Sequence, residues 1–506
     1  MRTDPAPGRG AIAFSIMLPR IMQGIDTTIA NVALPHIEGS LSASQTQIAW
    51  VLTSYIVAAA IMMPLTGWLA GRFGIKYVYF LSVAGFTLAS ALCGSATSLT
   101  ALVLYRALQG VCGAGMVPLS QAVLLQTYPV ERHGQAMAIF GIGSIAGPVV
   151  GPVLGGWLTQ NYSWRLIFYI NLPVGILAAL GILLFIRETR RAHRESFDFF
   201  GFLTLSIAVG ALQMLLDRGE MKGWFGSTEI WIEATIAALA FYLFLVHTAT
   251  AAGPSFLNRE LLKSPNFVAG IVLMFFLGGI LNGTLALLPT MLQNLMNYPV
   301  MTAGLVTAPR AVGTMIAMFV VARFIGRIDT RLLILLGLAM TAAAQWQMTS
   351  FSLDMGVEPV ILSGLTQGFG IGCIFVPINT LALSNLPRHI LTQGTALRSL
   401  MRNIGGSVGI AVFEAQLEQN TQIVHSRLVE TLRPDNPLAR PPLLPAPYSL
   451  TAPSGIAALN AEVTRQAAMV AYIDDFKLMM IIALCSMSLL LLVRRPRPVR
   501  AAAAAE

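Results

Sequence analysis

A chain of 506 residues that is 55% hydrophobic and only 11% charged lies far from a soluble domain, in which about a quarter of residues carry charge. Its formal charge of +9 comes without a basic stretch interleaved with aromatics, which excludes a nucleic-acid surface. Cys93, Cys112, Cys373 and Cys485 sit in apolar runs without metal or redox spacing, so a metal centre is excluded too and the chain reads as an integral membrane protein.

The chain begins with a short polar leader, 1–10, holding Arg2 and Arg9. No small-residue cleavage site follows the apolar run behind it, so that run is expected to stay as the first span. Apolar runs of about 20 residues are long enough, at about 1.5 Å per residue, to cross a hydrocarbon layer of about 30 Å. They predict spans over 11–34, 48–70, 77–95, 99–127, 135–158 and 164–186, then 199–216 and 229–248, then 267–292, 301–325, 332–351, 359–386, 393–416 and 476–493. The expected fold class is therefore an all-α integral membrane protein with fourteen transmembrane helices. Its expected domains are an N-terminal six-helix bundle (1–187), two inserted helices with linkers (188–265), a C-terminal six-helix bundle (266–493) and a cytoplasmic tail (494–506).

Charge placement supports an even number of spans with both ends in the cytoplasm. The inner loops then collect Arg72, Lys76, Arg132, Arg187, Arg190, Arg191, Arg194, Arg259, Lys263, Arg323, Arg327, Arg331, Arg388, Arg494, Arg495, Arg497 and Arg500. Short outer loops are nearly bare of Lys and Arg, with Arg218 and Lys222 as the exception. One outer segment, 417–473, is long, polar and proline-bearing; it reads as a loop, either disordered or docking a partner, with a short amphipathic helix over 457–471.

A few polar residues interrupt the spans. Asp26 lies well inside the first, where a carboxylate costs roughly 2.5 to 3.5 kcal/mol on insertion scales and must face a protein interior or a watery cavity; the plainer alternative is a solvated rim position. Arg106, in the fourth span, cannot lose its proton, so it needs a partner or else snorkels to an interface. Arg20 and Arg310 add further positive charge within spans, whereas Glu233 and Glu414 fall near outer ends and read as wet. Arg20 stands six residues before Asp26, about 120° around the helix, which argues against direct pairing. Gln23, Tyr55, Gln109, Gln121, Asn282, Gln367 and Asn379, with Arg20 and Arg310, are the candidates for lining a substrate cavity, although such residues more often bond helix to helix. Arg398 and Arg402, four apart on one face, are expected to touch headgroups or neighbouring helices.

Several motifs converge. A tight turn after the second span holds Gly67, Gly71, Arg72, Gly74 and Lys76, with a weaker counterpart at Arg323-Phe324-Ile325-Gly326-Arg327. The fifth span carries Gly143, Gly147, Pro148, Gly151, Pro152, Gly155 and Gly156; glycines at every fourth position make a groove for another helix, and prolines bend or loosen the backbone. With the runs Asp26 to Pro35, Leu104 to Gly110 and Trp164 to Gly175, these features resemble the major facilitator superfamily, in particular its fourteen-span drug:proton antiporter branch of the EmrB and QacA type. The resemblance covers nearly the whole chain. It departs at Gly71, where the family pattern has an aspartate, and this puts that acid's relay to a neighbouring helix in doubt.

The resemblance implies a transporter and not an enzyme, with two bundles rocking about a central site near the midplane. It implies a multi-pass protein of the bacterial inner membrane that exports lipophilic small molecules in exchange for protons. It also implies a periplasmic adaptor of the EmrA type and an outer-membrane channel as partners beside the lipid bilayer. Asp26 and Arg106 are then the proton-coupling pair, with burial and the guanidinium pulling on the acid's proton in opposite senses. No Gly-Lys-Ser or Gly-Lys-Thr phosphate cradle is present, so no nucleotide or other cofactor is expected and an ion gradient or another subunit must supply the energy. The excess of basic over acidic residues in the spans favours neutral or anionic lipophiles over dications. Rival readings are a dedicated metabolite or fatty-acid exporter, a proton-coupled uptake system, or a non-transporting receptor or scaffold.

Overall fold

The computed structural model describes residues 8–129, 132–188, 197–251, 255–325, 327–383, 386–387, 390–432, 448–450 and 452–493. The tail 494–506, the cations Arg190, Arg191, Arg194 and Arg388, and Gly326 lie outside the described residues. Among those residues the secondary structure is helical throughout, apart from one isolated bridge between Ile325 and Ile328. The first six rods are α1 (Arg9–Leu41), α2 (Trp50–Met62 and Leu65–Phe73), α3 (Ile75–Ser95), α4 (Leu99–Gly113 continued by Met116–Thr127), α5 (His133–Asn161) and α6 (Leu166–Tyr169 with Asn171–Phe185). Then come α7 (Phe199–Arg218) and α8 (Thr228–Thr250). The last six are α9 (Pro265–Asn294), α10 (Val300–Thr307 with Pro309–Phe324), α11 (Thr330–Met348), α12 (Glu358–Leu383), α13 (Leu391–Thr431) and α14 (Pro453–Met487).

Ten of these segments are long and apolar enough to cross a membrane by themselves, and α2 joins them as a bent pair. α2 differs from the straight span predicted over 48–70: it turns by 54° between Met62 and Leu65. Pro64 has no N–H to give the helix ladder, and its ring clashes with the preceding turn. Helix starts follow local capping chemistry: Ser98, Asp198 and Ser264 accept from the backbone N–H groups of Ala101, Gly201 and Phe267. Between α2 and α3 the chain reverses at Gly74, whose φ of +97° favours glycine.

The segment 417–473 holds the helix expected over 457–471, but more of it is helical than the loop the sequence suggested. α13 continues to Thr431 and α14 already begins at Pro453. The hydropathy pattern reports lipid contact and not helix length, so it ended both helices where the lipid contact ends. Beyond that point the two helices continue side by side, and His425 lies 3.0 Å from Asn460 across the pair. Of the proline-bearing middle, 433–447 lies outside the described residues.

Small residues set the seams within each bundle. A methyl at Gly147 of α5 would fall 2.7 Å from the Gly24 Cα of α1, and one at Gly409 of α13 would fall 2.4 Å from the Gly279 Cα of α9. Backbones that approach this closely gain dispersion contact that lipid does not offer. The inserted pair lies against the first bundle, with Gly210 of α7 facing Ile61 of α2, and reaches the second where Gln213 Nε2 donates to Ser407 Oγ over 2.7 Å. At the other end of α7, Asp198 joins α7 to α8 by a 2.9 Å contact with His247. Burial works against that carboxylate's charge, but N–H donors from Gly201 and Phe256 together with His247 outweigh it and hold the acid below the ordinary carboxylate range.

The two bundles meet at the end that carries the Gly67 to Lys76 turn. There Phe140 of α5 stacks on Phe375 of α12 with centroids 6.4 Å apart, and Ile325 of α10 fills the space beside Gly134 of α5. Gln393 of α13 covers Gly67 of α2, and Thr395 Oγ1 donates to the Pro118 carbonyl over 3.1 Å.

Candidate functional site

Asp26 stands in mid-helix on α1 with none of its surface exposed. Three side chains donate to it. Arg106 Nη1 reaches Oδ2 at 2.8 Å, and Gln109 Nε2 and Asn171 Nδ2 each reach Oδ1 at 2.9 Å. Arg106 and Gln109 are three apart on α4, so one helix face presents both, and α6 supplies Asn171. The surrounding shell is closed as well: Arg106 Nη1 also donates to Gln109 Oε1 at 2.8 Å, Arg106 Nε to the Val51 carbonyl at 3.2 Å, and Asn171 Nδ2 to Ser90 Oγ at 2.9 Å. Tyr55 lays its ring over the guanidinium at 4.6 Å, and Phe168 does so from 5.7 Å. A buried ion pair offsets its desolvation only when the geometry is good and its remaining lone pairs are satisfied. Here both conditions hold.

The other residues singled out in the sequence fall into three groups. Gln109 belongs to the charge cluster and not to a cavity wall, because both ends of its amide are taken by Asp26 and Arg106. Gln23, Tyr55, Gln121 and Gln367 tie helices together. Gln23 Nε2 donates to the Gly113 carbonyl at 3.2 Å and to the Tyr55 hydroxyl at 3.4 Å, Gln121 accepts from Arg398, and Gln367 Nε2 donates to Thr284 Oγ1 at 2.9 Å. Asn379 bonds within its own helix, to the Phe375 carbonyl at 2.6 Å, and Asn282 is half-buried with its amide against Gly406. The third group is cationic: Arg20 donates through Nε to Ser144 Oγ at 2.8 Å, as its distance from Asp26 required, and Arg310 is half-buried on α10 with no ion-pair partner among the described residues.

The glycine series of α5 packs on α1, the helix that carries Asp26. Gly143 faces Met17, Gly147 faces Gly24 with Pro148 beside it, Gly151 faces Thr28 and Gly155 faces Ile29, while Gly156 has only Val32 at 4.0 Å. Pro148 and Pro152 do not break α5, which runs unbroken over 29 residues. In the turn motif Lys76 Nζ donates to the Leu183 carbonyl at 2.7 Å and Arg72 is exposed. A Cβ at Gly71 would meet no described atom within 4 Å, whereas the carboxylate of Glu188 crowds Gly74.

One expectation is overturned. Glu233 is not wet: it is buried and pairs with Arg218 at 3.1 Å. This also explains the one cationic outer loop, since Arg218 and Lys222 both pair with Glu229 as well. Sequence reasoning missed the role of Asn171, whereas Arg398 meets a neighbouring helix, one of the two contacts expected of it. Asn171 stood within a quoted motif, but neutral amides carry no insertion penalty that marks them out.

A family model described as Major Facilitator Superfamily matches residues 16–410. The chain is 35% identical to the multidrug export protein EmrB of Haemophilus influenzae over 85% of this chain and 84% of that one. It is also 35% identical to the fatty acid resistance protein FarB of Neisseria gonorrhoeae over 85% of this chain and 86% of that one. Among solved structures, the human organic anion transporter MFSD10 superposes with a TM-score of 0.60 over 94% of this chain and all of its own, at 13% identity.

Proposed function

The chain belongs to the major facilitator superfamily and is a multi-pass membrane transporter, and on that premise we propose that it is a proton-coupled multidrug efflux permease. It exports lipophilic neutral or anionic compounds by alternating access from the inner membrane of a bacterium, with both termini in the cytoplasm. The similarity to EmrB and FarB supports export as the direction. In this reading the Gly67 to Lys76 end is cytoplasmic and closed, so the described conformation faces outward.

The observation that carries the coupling is the Asp26 site, a carboxylate fully withdrawn from solvent and held by Arg106, Gln109 and Asn171. A proton arriving on Asp26 cancels the charge that holds Arg106, so protonation and the relative position of α1 and α4 are linked. Because α1 packs on α5 through backbone at Gly147, a shift of α1 moves the rigid pair and not one side chain. One proton crossing about 150 mV releases roughly 3.5 kcal/mol, enough for a gradient of a few hundredfold in a neutral substrate exchanged one for one.

The α13 and α14 extensions, projecting beyond their spans on the outer side, are where a periplasmic adaptor of a tripartite system would dock. A dedicated exporter of fatty acids is the second reading, favoured by the equal identity to FarB. Reconstituted vesicles with an imposed pH gradient test the main one. Export of an acidic or neutral lipophile should follow the gradient and vanish in Asp26→Asn, with protein inserted at wild-type level. Undiminished gradient-driven export by that variant refutes the proposal, and activity confined to one chain-length class of carboxylic acids selects the second reading.

A further inference from the structure

Where the two bundles close against each other, the fold gathers positive charge and gives it no acid. Arg20 comes from α1 in the first bundle, and Arg398 and Arg402 come from one face of α13 in the second. The guanidinium of Arg402 lies within electrostatic reach of both Arg20 and Arg398. Arg398 is 2% exposed and Arg20 8%, and among the described residues none of the three is in an ion pair. Their hydrogen bonds go to neutral oxygens: Arg20 Nε to Ser144, Arg398 Nη2 to Gln121 and Arg402 Nη2 to Asn403 at 3.4 Å. Arg398 Nε is buried with no hydrogen-bond partner among the described residues.

A buried guanidinium without a counter-charge is unfavourable, and neighbouring like charges add repulsion. The α1–α4 site shows what this fold does with a buried arginine when it keeps one permanently: Arg106 has a carboxylate, an amide and a carbonyl. The α1–α13 cluster lacks the acid. Apolar packing adjoins it: Arg20 also lies over the ring of Phe140 at 5.7 Å, and Phe140 stacks on Phe375 of the opposite bundle, both rings buried. We infer that Arg20, Arg398 and Arg402 form an anion subsite, shared between the bundles, for the carboxylate or similar monoanionic head of an amphipathic substrate. Arginine suits this head because its planar fork offers two parallel donors to two oxygens. A head held from both bundles supplies the missing counter-charge and draws the bundles together, so an anionic substrate favours closure of this end.

This inference rests on the export reading for its substrate but not for its test. Purified wild-type protein in neutral detergent is titrated with decanoate, decanol and decyltrimethylammonium, by calorimetry and by shift of the melting temperature. Decanoate should bind at least ten times more tightly than decanol, and decyltrimethylammonium should not compete. Arg398→Gln and Arg402→Gln should each weaken decanoate at least tenfold and leave decanol within twofold, while Arg398→Lys, which keeps the charge without the fork, should fall between them and serve as the folded control. Equal affinity for decanoate and decanol, or decanoate binding unmoved by both glutamine variants, overturns the assignment. A lower melting temperature in the variants with an unchanged decanoate-to-decanol ratio assigns the arginines a purely structural latch and also overturns it. So does displacement of decanoate by phosphatidylglycerol or by chloride, which would make the occupant a lipid headgroup or a simple ion. Asp26→Asn should keep decanoate binding, so failure of proton coupling and failure of this subsite are separate results.

Discussion

The two bundles place a glutamine at the same seam and surround it differently. In the first, Leu108-Gln109-Gly110 puts Gly110 against the Tyr55 carbonyl and Gln109 on Asp26. In the second, Thr366-Gln367-Gly368 puts Gly368 against the Arg310 carbonyl and Gln367 on Thr284, which also accepts from Gln345 Nε2 at 3.1 Å. The first centre holds a charged pair whose carboxylate is met by Arg106, Gln109 and Asn171. The second is neutral, and Gln345 Oε1 and Gln367 Oε1 have no partner among the described residues. Its buried acid, Asp475, is in another place, and neither of its oxygens is bonded among the described residues. Among the described residues, the compensated charge of the two centres therefore lies in the first bundle, and the proposed coupling places the proton-responsive half there.

The contrast can be broken by substitution. The largest effect is expected from Arg106→Gln, which strands Asp26 as an uncompensated buried acid and should cost about 3–5 kcal/mol. A double-mutant cycle with Asp26→Asn should recover most of that loss in thermal unfolding, and additive losses would show that the two side chains do not act as a pair. Next comes the seam that carries Asp26. Gly147→Val drives a side chain into the Gly24 backbone and should cost about 1–3 kcal/mol together with export, whereas Gly156→Ala, with only Val32 at 4.0 Å, should leave both melting temperature and export unchanged. Gln367→Leu in the neutral centre should cost about 1 kcal/mol and leave the pH profile of export where it was; a displaced profile would mean that the second bundle also senses protons. Asp475→Asn should leave the melting temperature level or raise it, in contrast to the fall expected for Asp26→Asn. The smallest effect concerns Asp198. Its folded-state acid is held below the ordinary range, so its contribution is present above the unfolded carboxylate value of about 3.9 and fades as pH falls through the lower folded value. Asp198→Asn should therefore slightly loosen the α7–α8 pair near neutral pH, seen as faster hydrogen exchange around Phe199, and make no difference in strong acid.

The charged pair was legible because a bilayer makes intramembrane charge rare. Asp26 and Arg106 stood out against apolar neighbours, and glycines spaced by four in α5 announced a close helix before the partner was known. The amides that complete the site were not legible, since Gln109 and Asn171 resemble any other packing amide until three helices bring them to one carboxylate. The extensions of α13 and α14 were hidden for a different reason: beyond the apolar runs they have no apolar period long enough to call attention to themselves.

What the sequence by itself determined is the solvent and the topology: runs of about 20 apolar residues commit the chain to helices that satisfy their own backbone groups in lipid, and the motif series places it among facilitator-type transporters. What only the tertiary structure decided is which charges are answered. Arg106 and Arg398 look alike in the chain, and both are buried, yet one meets a carboxylate and the other meets an amide oxygen and an empty direction. Pairing depends on which side chains the folded helices bring within about 3 Å, and no local pattern encodes distances between residues 80 or 277 positions apart.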